Sequence, residues 1–233
     1  MNCFKTIPKV AVLVMKGKIG VGCDLSFKRI KPSIDKAFSK SNLKAVCIVI
    51  NSPGGSAVQS ELIAEYLLLK SKKTGVPLFS FVEDCAASGG YLIACSASKI
   101  FVSQYSVVGS IGAVFVSYSV EDLLAKVGIQ PRVLTAGQRK GGLNPLVTPS
   151  QEQLEDTRKM LADCHASFMS WVEVRRKGRL GHLQEDKEDI FSGATFSGVS
   201  KQSSCLFFLI LFLLILNPIL LLCTLLFLLL LLS

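Results

Sequence analysis

The segment Glu83-Asp84-Cys85-Ala86-Ala87-Ser88-Gly89-Gly90-Tyr91 is the point from which the rest of the chain is read. It follows a short apolar run, Pro77 to Val82, that reads as a buried strand, and it leads into a helix-like segment, Tyr91 to Ala97. A serine among small residues at such a junction has two advantages as a nucleophile. Small neighbours admit a substrate backbone, and a helix N-terminus offers unpaired N–H groups to an oxyanion. The same position equally suits a serine that only caps the helix.

Outward from this junction, strands and helices alternate. Lys9 to Lys16 is strand-like. Lys28 to Lys40 places Ile30, Ile34 and Phe38 at four-residue spacing and predicts an amphipathic helix. Leu43 to Ile50 reads as a strand covered on both faces, and it ends in Asn51-Ser52-Pro53-Gly54-Gly55-Ser56. Ala57 to Lys73 is helical, with Leu62, Tyr66 and Leu69 on one face. Beyond Ser88 the pattern predicts strands at Lys99–Val102, Ala113–Ser117 and Gln130–Thr135, and a tight turn at Val108–Gly112. Helices are predicted at Val120–Val127 and from Gln151 to about Lys177, the last with Leu154, Met160, Leu161 and Phe168 as apolar positions. Such alternation argues for α/β layers, with glycines at strand ends where those folds place their sites.

The chain has 233 residues, half of them hydrophobic, and a formal charge of +9. The cluster Arg175-Arg176-Lys177-Gly178-Arg179 has no interleaved aromatic residues, so it reads as a solvated helix end and not as a nucleic-acid or anionic-lipid site. The eight cysteines show no CxxC pair, which indicates free thiols and neither a disulfide frame nor a zinc site. Val10 to Met15 is too short for the apolar core of a secretory signal.

Neither GxGxxG nor GxxxxGK[ST] is present, so a nucleotide site is disfavoured. A serine hydrolase needs a nucleophile, a base and oxyanion donors. Pro53-Gly54-Gly55 can bring bare N–H groups to a substrate carbonyl, and the Gly89 amide could supply another. His165 and His182 lie in or beyond the last long helix, away from any glycine-rich turn. A lysine base must be neutral, hence desolvated. Lys140, among Gly137, Gly141 and Gly142, is the best-placed lysine, although spacing alone fits a surface lysine equally well. Arg139 stays protonated in proteins and is excluded.

Four motifs in order, Asn51-Ser52-Pro53-Gly54-Gly55, Ala86-Ala87-Ser88-Gly89-Gly90-Tyr91, Gly109-Ser110-Ile111-Gly112 and Thr135-Ala136-Gly137-x-x-Lys140, resemble those of the protease IV family, the signal peptide peptidase A and SohB serine peptidases. The resemblance covers roughly residues 9–198. It implies an α/β fold of the Clp-protease/crotonase type, built from stacked β-β-α units, and a Ser–Lys dyad of Ser88 and Lys140. Gly54, Gly55 and Gly89 would form the oxyanion site, and Ser110 would hold the lysine. It further implies membrane-associated peptides as substrates, assembly into homo-oligomeric rings in which a neighbouring protomer can supply part of the site, and no metal or cofactor. There are departures: Leu92 stands where a second aromatic is usual, and Gln138-Arg139-Lys140 is closer to the SohB branch. Phe191-Ser192-Gly193-Ala194-Thr195-Phe196-Ser197-Gly198 resembles a late family segment, but the closing stretch expected after it is replaced by a leucine-rich tail.

The expected organisation is therefore a peptidase domain over 9–200 and a hydrophobic tail over 205–233. Leu206 to Leu232 is long enough to span a bilayer as a C-terminal hydrophobic helix, bent at Asn217-Pro218. With Lys201 upstream, the catalytic domain would face the cytoplasm. If the tail is an aberrant C-terminus instead, the protein would be soluble and intracellular. Two rivals to a peptidase remain at this level: a catalytically inactive membrane-anchored scaffold, and a crotonase-like acyl-CoA enzyme. Nucleic acid is not an expected partner.

Overall fold

A computed structural model of the chain describes residues 7–137, 139–177 and 187–198. These fall into two compact units. One runs to Ile111 and resumes at Ser170; the other comprises Gly112–Met169.

The first unit is a six-stranded sheet with its helices. Strand β1 (Lys9–Lys16) pairs in parallel with β2 (Leu43–Ser52), and β2 pairs in parallel with β3 (Leu78–Ala87). The far edge of β3 is shared by two short parallel strands, β4 (Lys99–Val102) along its first half and β5 (Val107–Gly109) along its second. Antiparallel β6 (Thr195–Ser197) completes the order β1-β2-β3-β5-β6. The apolar pattern dictates most of this. Ala45 to Ile50 are all buried, as the unbroken apolar run of β2 requires. β1 alternates, with Ala11, Leu13 and Met15 inside and Val12 and Val14 outside.

The handover from β4 to β5 needs a pin, and Ser106 supplies it. Its buried hydroxyl donates to the Glu83 carbonyl at 2.5 Å and accepts from the Ser103 amide at 3.0 Å. β5 occupies the place where the sequence predicts a tight turn. Its three residues become a strand because β3 runs on past Val82 to Ala87 and offers them an edge.

Helix α1 (Phe27–Phe38) buries Ile34 and Phe38 as expected. Helix α2 (Ala57–Thr74) starts at Ser56, whose side chain accepts from the Gln59 amide, and stops at Gly75 with φ +68°. Its buried face is Ser60, Ile63, Ala64 and Leu67, not the expected Leu62–Tyr66–Leu69 face; Leu62 and Leu69 are exposed. The correction has a physical source. Two of the four residues on the true stripe, Ser60 and Ala64, are polar or small, so hydrophobicity alone points to the wrong side. Tyr66 instead serves a surface cluster that joins the two helices: Asp35 accepts from Tyr66 Oη at 2.5 Å and from Lys31 Nζ at 2.8 Å, and also pairs with Lys70. Phe27 meets the Tyr66 ring edge-on.

The second unit holds α4 (Glu121–Lys126) and the greater part of α5 (Gln151–Arg175). Val120 N–H donates to Pro145 O at 2.8 Å, and Thr148 Oγ1 donates to Glu121. The predicted strands Ala113–Ser117 and Gln130–Thr135 are not strands; neither segment enters a ladder. Strand-like composition needs a neighbouring edge to take its N–H and C=O groups, and among the described residues none does. Val114, Val116, Tyr118 and Leu134 are accordingly exposed.

Among the described residues no helix is long and apolar enough to cross a membrane, and the predicted span 206–232 lies outside them. Cys23, Cys47, Cys85, Cys95 and Cys164 are free thiols, and burial pushes that of Cys47 up to about 12.

The Asp35 cluster sets an acid limit on the packing of α1 against α2. Hydrogen bonds from Lys31, then from Lys70 and Tyr66, hold the Asp35 carboxyl well below the usual carboxylate range. Its stabilising contribution is thus complete above about pH 4 and is lost as pH falls below that value. Asp35→Asn is expected to lower the melting temperature at neutral pH, with the gap to the parent narrowing as pH drops below about 4. A gap independent of pH would refute this account.

Candidate active site

Ser88 sits between the last residue of β3 and the first of helix α3 (Gly89–Ala94), where its backbone adopts φ +50°, ψ −122°. Only Asn42, Ser88 and Ser110 among the described non-glycine residues have positive φ. Such a conformation costs on the order of 1–3 kcal/mol and persists only where the surroundings enforce it. Here the Ser88 N–H donates to Gly109 O at 2.8 Å and Ser88 O accepts from Leu92 N–H at 3.0 Å. The hydroxyl makes no capping bond to the helix. The backbone is therefore spent on the turn while the half-buried side chain remains available, which removes the capping reading.

Of the other residues singled out in the sequence, Gly54, Gly55, Gly89 and Ser110 lie in the first unit with this turn. Ala87 is paired with Gly109 across β3 and β5, so Ser88 and Ser110 each follow directly on the last pair of that ladder. Gly54, at φ +99°, approaches from the end of β2. A Cβ there would lie 2.8 Å from Ser88 Cβ and 2.9 Å from the Gly89 nitrogen, so only glycine fits. The Gly54 amide turns inward, donating to Ser52 Oγ at 3.2 Å. Gly55 is held by bonds on either side of it: Ile19 N–H donates to Gly54 O at 2.9 Å, and Ser56 N–H donates to Ile19 O at 2.8 Å. The amides of Gly55 and Gly89 have no acceptor among the described residues. The Gly89 N–H directly follows the free hydroxyl in the chain and the Gly55 N–H belongs to the turn that packs against it, which makes both candidate donors to a developing oxyanion.

Lys140 belongs to the second unit. Its amide donates to Gly137 O at 3.0 Å, and its side chain is exposed. Neighbouring Arg139 is committed to Glu152 at 2.8 Å and Asp156 at 3.1 Å, which fixes one of two adjacent cations as structural. His165 lies within α5, and His182 is outside the described residues.

Two supporting residues escape a reading of the sequence. Ser52, fully buried, holds the Gly54 amide; its place in the Asn51-Ser52-Pro53-Gly54-Gly55 run is a usable signal. Ser60, also fully buried, bonds Ser56 O at 2.8 Å and fills the space where a Gly89 Cβ would go. Nothing in the sequence of α2 marks it. The hydroxyl of Tyr91, on the same short helix, is pushed up by the adjoining Cys95 thiol and by burial.

Comparison with known proteins matches residues 70–198, more than half of the chain, to the model of peptidase family S49. The chain is 38% identical over 190 residues to a protein of Brucella melitensis biotype 1 named Na(+)/H(+) antiporter NhaA, covering 82% of this chain and 25% of that protein. It is 32% identical over 137 residues to a putative signal peptide peptidase SppA of Enterococcus faecium, covering 59% of this chain and 39% of that one. The chain thus spans well under half the length of these curated relatives. Among solved structures, a mutant of the 1510-N membrane-bound stomatin-specific protease superposes with a TM-score of 0.50 at 16% identity, over 82% of this chain and 74% of that one. The α/β fold read from the sequence is the fold observed.

Close packing at the turn yields a stability prediction. A Cβ on Gly89 would fall 2.2 Å from Ser60 Oγ, so Gly89→Ala should destabilise the chain by about 1–3 kcal/mol in urea denaturation. In a Ser60→Ala background the cost should shrink. Equal costs in both backgrounds would show that the two residues do not meet.

Proposed function

The chain belongs to peptidase family S49, and from that membership we propose that it is a serine endopeptidase acting through Ser88 as nucleophile and Lys140 as general base. One observation carries the assignment of Ser88: a strained residue whose own N–H and C=O are committed presents an uncommitted hydroxyl next to the unspent amide of Gly89. A residue needed only to start α3 would not require φ +50° and would use its side chain on the helix.

In this mechanism Ser88 Oγ attacks the carbonyl carbon of the scissile peptide while neutral Lys140 Nζ takes the hydroxyl proton. The carbonyl oxygen becomes an oxyanion in reach of the Gly55 and Gly89 N–H groups, which the Gly54 turn and the start of α3 hold ready. Collapse breaks the C–N bond, Lys140 returns the proton to the departing amine, and an ester on Ser88 remains. Lys140 then deprotonates water to hydrolyse that ester. Ser110, beside Ser88 at the end of β5, accepts or donates a hydrogen bond that steadies the lysine. The base works only when desolvated; since its side chain is exposed in the single chain, a bound substrate or a second copy has to cover it. This is the physical argument for assembly into a homo-oligomeric ring.

Peptide and protein substrates follow from the reaction. Signal peptides and other membrane-associated peptides are the proposed natural class, because one relative is named a signal peptide peptidase and because 206–232 has the length and composition of a membrane anchor. The catalytic domain would then lie on the cytoplasmic side.

Ser88→Ala should abolish peptide cleavage and labelling by a fluorophosphonate probe, and wild-type activity in that variant would end the assignment. Lys140→Arg should be as inactive as Lys140→Ala, because a guanidinium keeps its proton. Activity in Lys140→Arg but not in Lys140→Ala would show that the site needs a charge and not a base.

A further inference from the structure

Arg176 belongs to the basic cluster that the sequence assigns to solvent, yet the residue is only 5% exposed. Its guanidinium Nη2 donates to Cys95 O at 3.0 Å and to Ala97 O at 2.6 Å. Those carbonyls lie just beyond the C-terminus of α3, the short helix that begins with Gly89 after Ser88. The last carbonyls of a helix lack an intrahelical donor, and positive charge is favoured there. The cation therefore does cap a helix end, but the end of α3 and not that of its own helix.

A second side chain acts on the same helix. Trp171 Nε1 donates to Leu92 O at 3.2 Å, and the Arg175 guanidinium lies 4.9 Å over the Trp171 ring. Val172, between them, is fully buried. Three carbonyls of the α3 region, those of Leu92, Cys95 and Ala97, are thus held from the end of α5 and the residue after it, all within the first unit.

We propose that Trp171 and Arg176 are positioning residues that clamp α3 and thereby hold Ser88 and the Gly89 amide in reacting geometry. The proposal rests on Ser88 being the nucleophile. A helix of six residues has almost no stability of its own. The strained Ser88 turn is fixed on one side by Gly109 O and by the close approach of Gly54. Unless the far end of α3 is also fixed, the helix can shift along its axis and let the φ +50° turn relax. Displacements near 1 Å are enough to cost about two orders of magnitude in rate.

The test uses the full chain with Arg176→Met, Arg176→Lys and Trp171→Phe, each followed by fluorophosphonate labelling, peptide hydrolysis and amide hydrogen exchange. Arg176→Met should slow labelling and lower kcat by roughly 10–100-fold with KM little changed. Arg176→Lys, which keeps a charge able to reach one carbonyl, should recover part of the loss. Exchange at residues 89–94 should accelerate while the amides of β2 stay protected. A folded Arg176→Met protein that labels at the parental rate overturns the proposal, and so does faster exchange spread equally over β2 and α3, which would mark general destabilisation. If Arg176→Met does not fold, Trp171→Phe, which removes the Leu92 bond, is held to the same outcomes. If the parent chain itself does not label, the nucleophile assignment fails; the clamp is then judged by exchange alone, and unaltered exchange over 89–94 in the variants overturns it.

Discussion

The strained backbone of Ser88 is the constraint on which the rest of the first unit converges. An L-residue at φ +50° persists only when its neighbours allow no alternative, and here they come from four elements. β5 provides the carbonyl that takes the Ser88 amide, and β2 brings Gly54 within van der Waals contact of the side chain. Helix α2 places Ser60 behind Gly89, and α5 holds the far end of α3 through Trp171 and Arg176. The sheet order serves the same purpose. β3 gives up β4 and takes β5 so that Gly109 ends opposite Ala87, and the buried hydroxyl of Ser106 fixes the changeover.

Polar atoms at the turn are divided between structure and chemistry. Gly54 N–H, Ser88 N–H and Ser88 O are consumed internally, which keeps the turn rigid. Gly55 N–H, Gly89 N–H and the Ser88 hydroxyl are left over among the described residues. Burying an unspent donor is costly, and Gly89 is buried, so leaving its N–H without a partner next to the Ser88 hydroxyl suits a reacting group better than folding. Glycine is indispensable at 54 for a steric reason that is independent of any role as donor: no Cβ can pass Ser88 and Gly89 at that distance.

The second unit poses a different problem. It carries Lys140, along with apolar stretches at 113–118 and 129–134 that are exposed and enter no sheet. Arg139 shows how one of two adjacent cations can be tied down by an acidic pair on α5 while the next is left uncommitted. As the proposed base, Lys140 sits on an exposed loop and depends for its desolvation on whatever covers it.

The sequence by itself determined the α/β layering, the bounds of β1, the approximate extents of β2, α1 and α2, and the glycine and serine motifs that meet at the Ser88 turn. These are local: they rest on periodicity, on turn chemistry and on which residues tolerate positive φ. What only the tertiary structure decided depends on neighbours distant in the chain. Val107–Gly109 is a strand because β3 offers an edge, whereas Ala113–Ser117, of equally strand-like composition, finds none. The inward face of α2 is set by what it packs against, so Ser60 is buried while Leu62 is not. Arg176, one of four cations in five residues, is buried because two carbonyls 79 and 81 residues earlier lack donors. No pattern along the chain distinguishes it from its neighbours; the free end of α3 does.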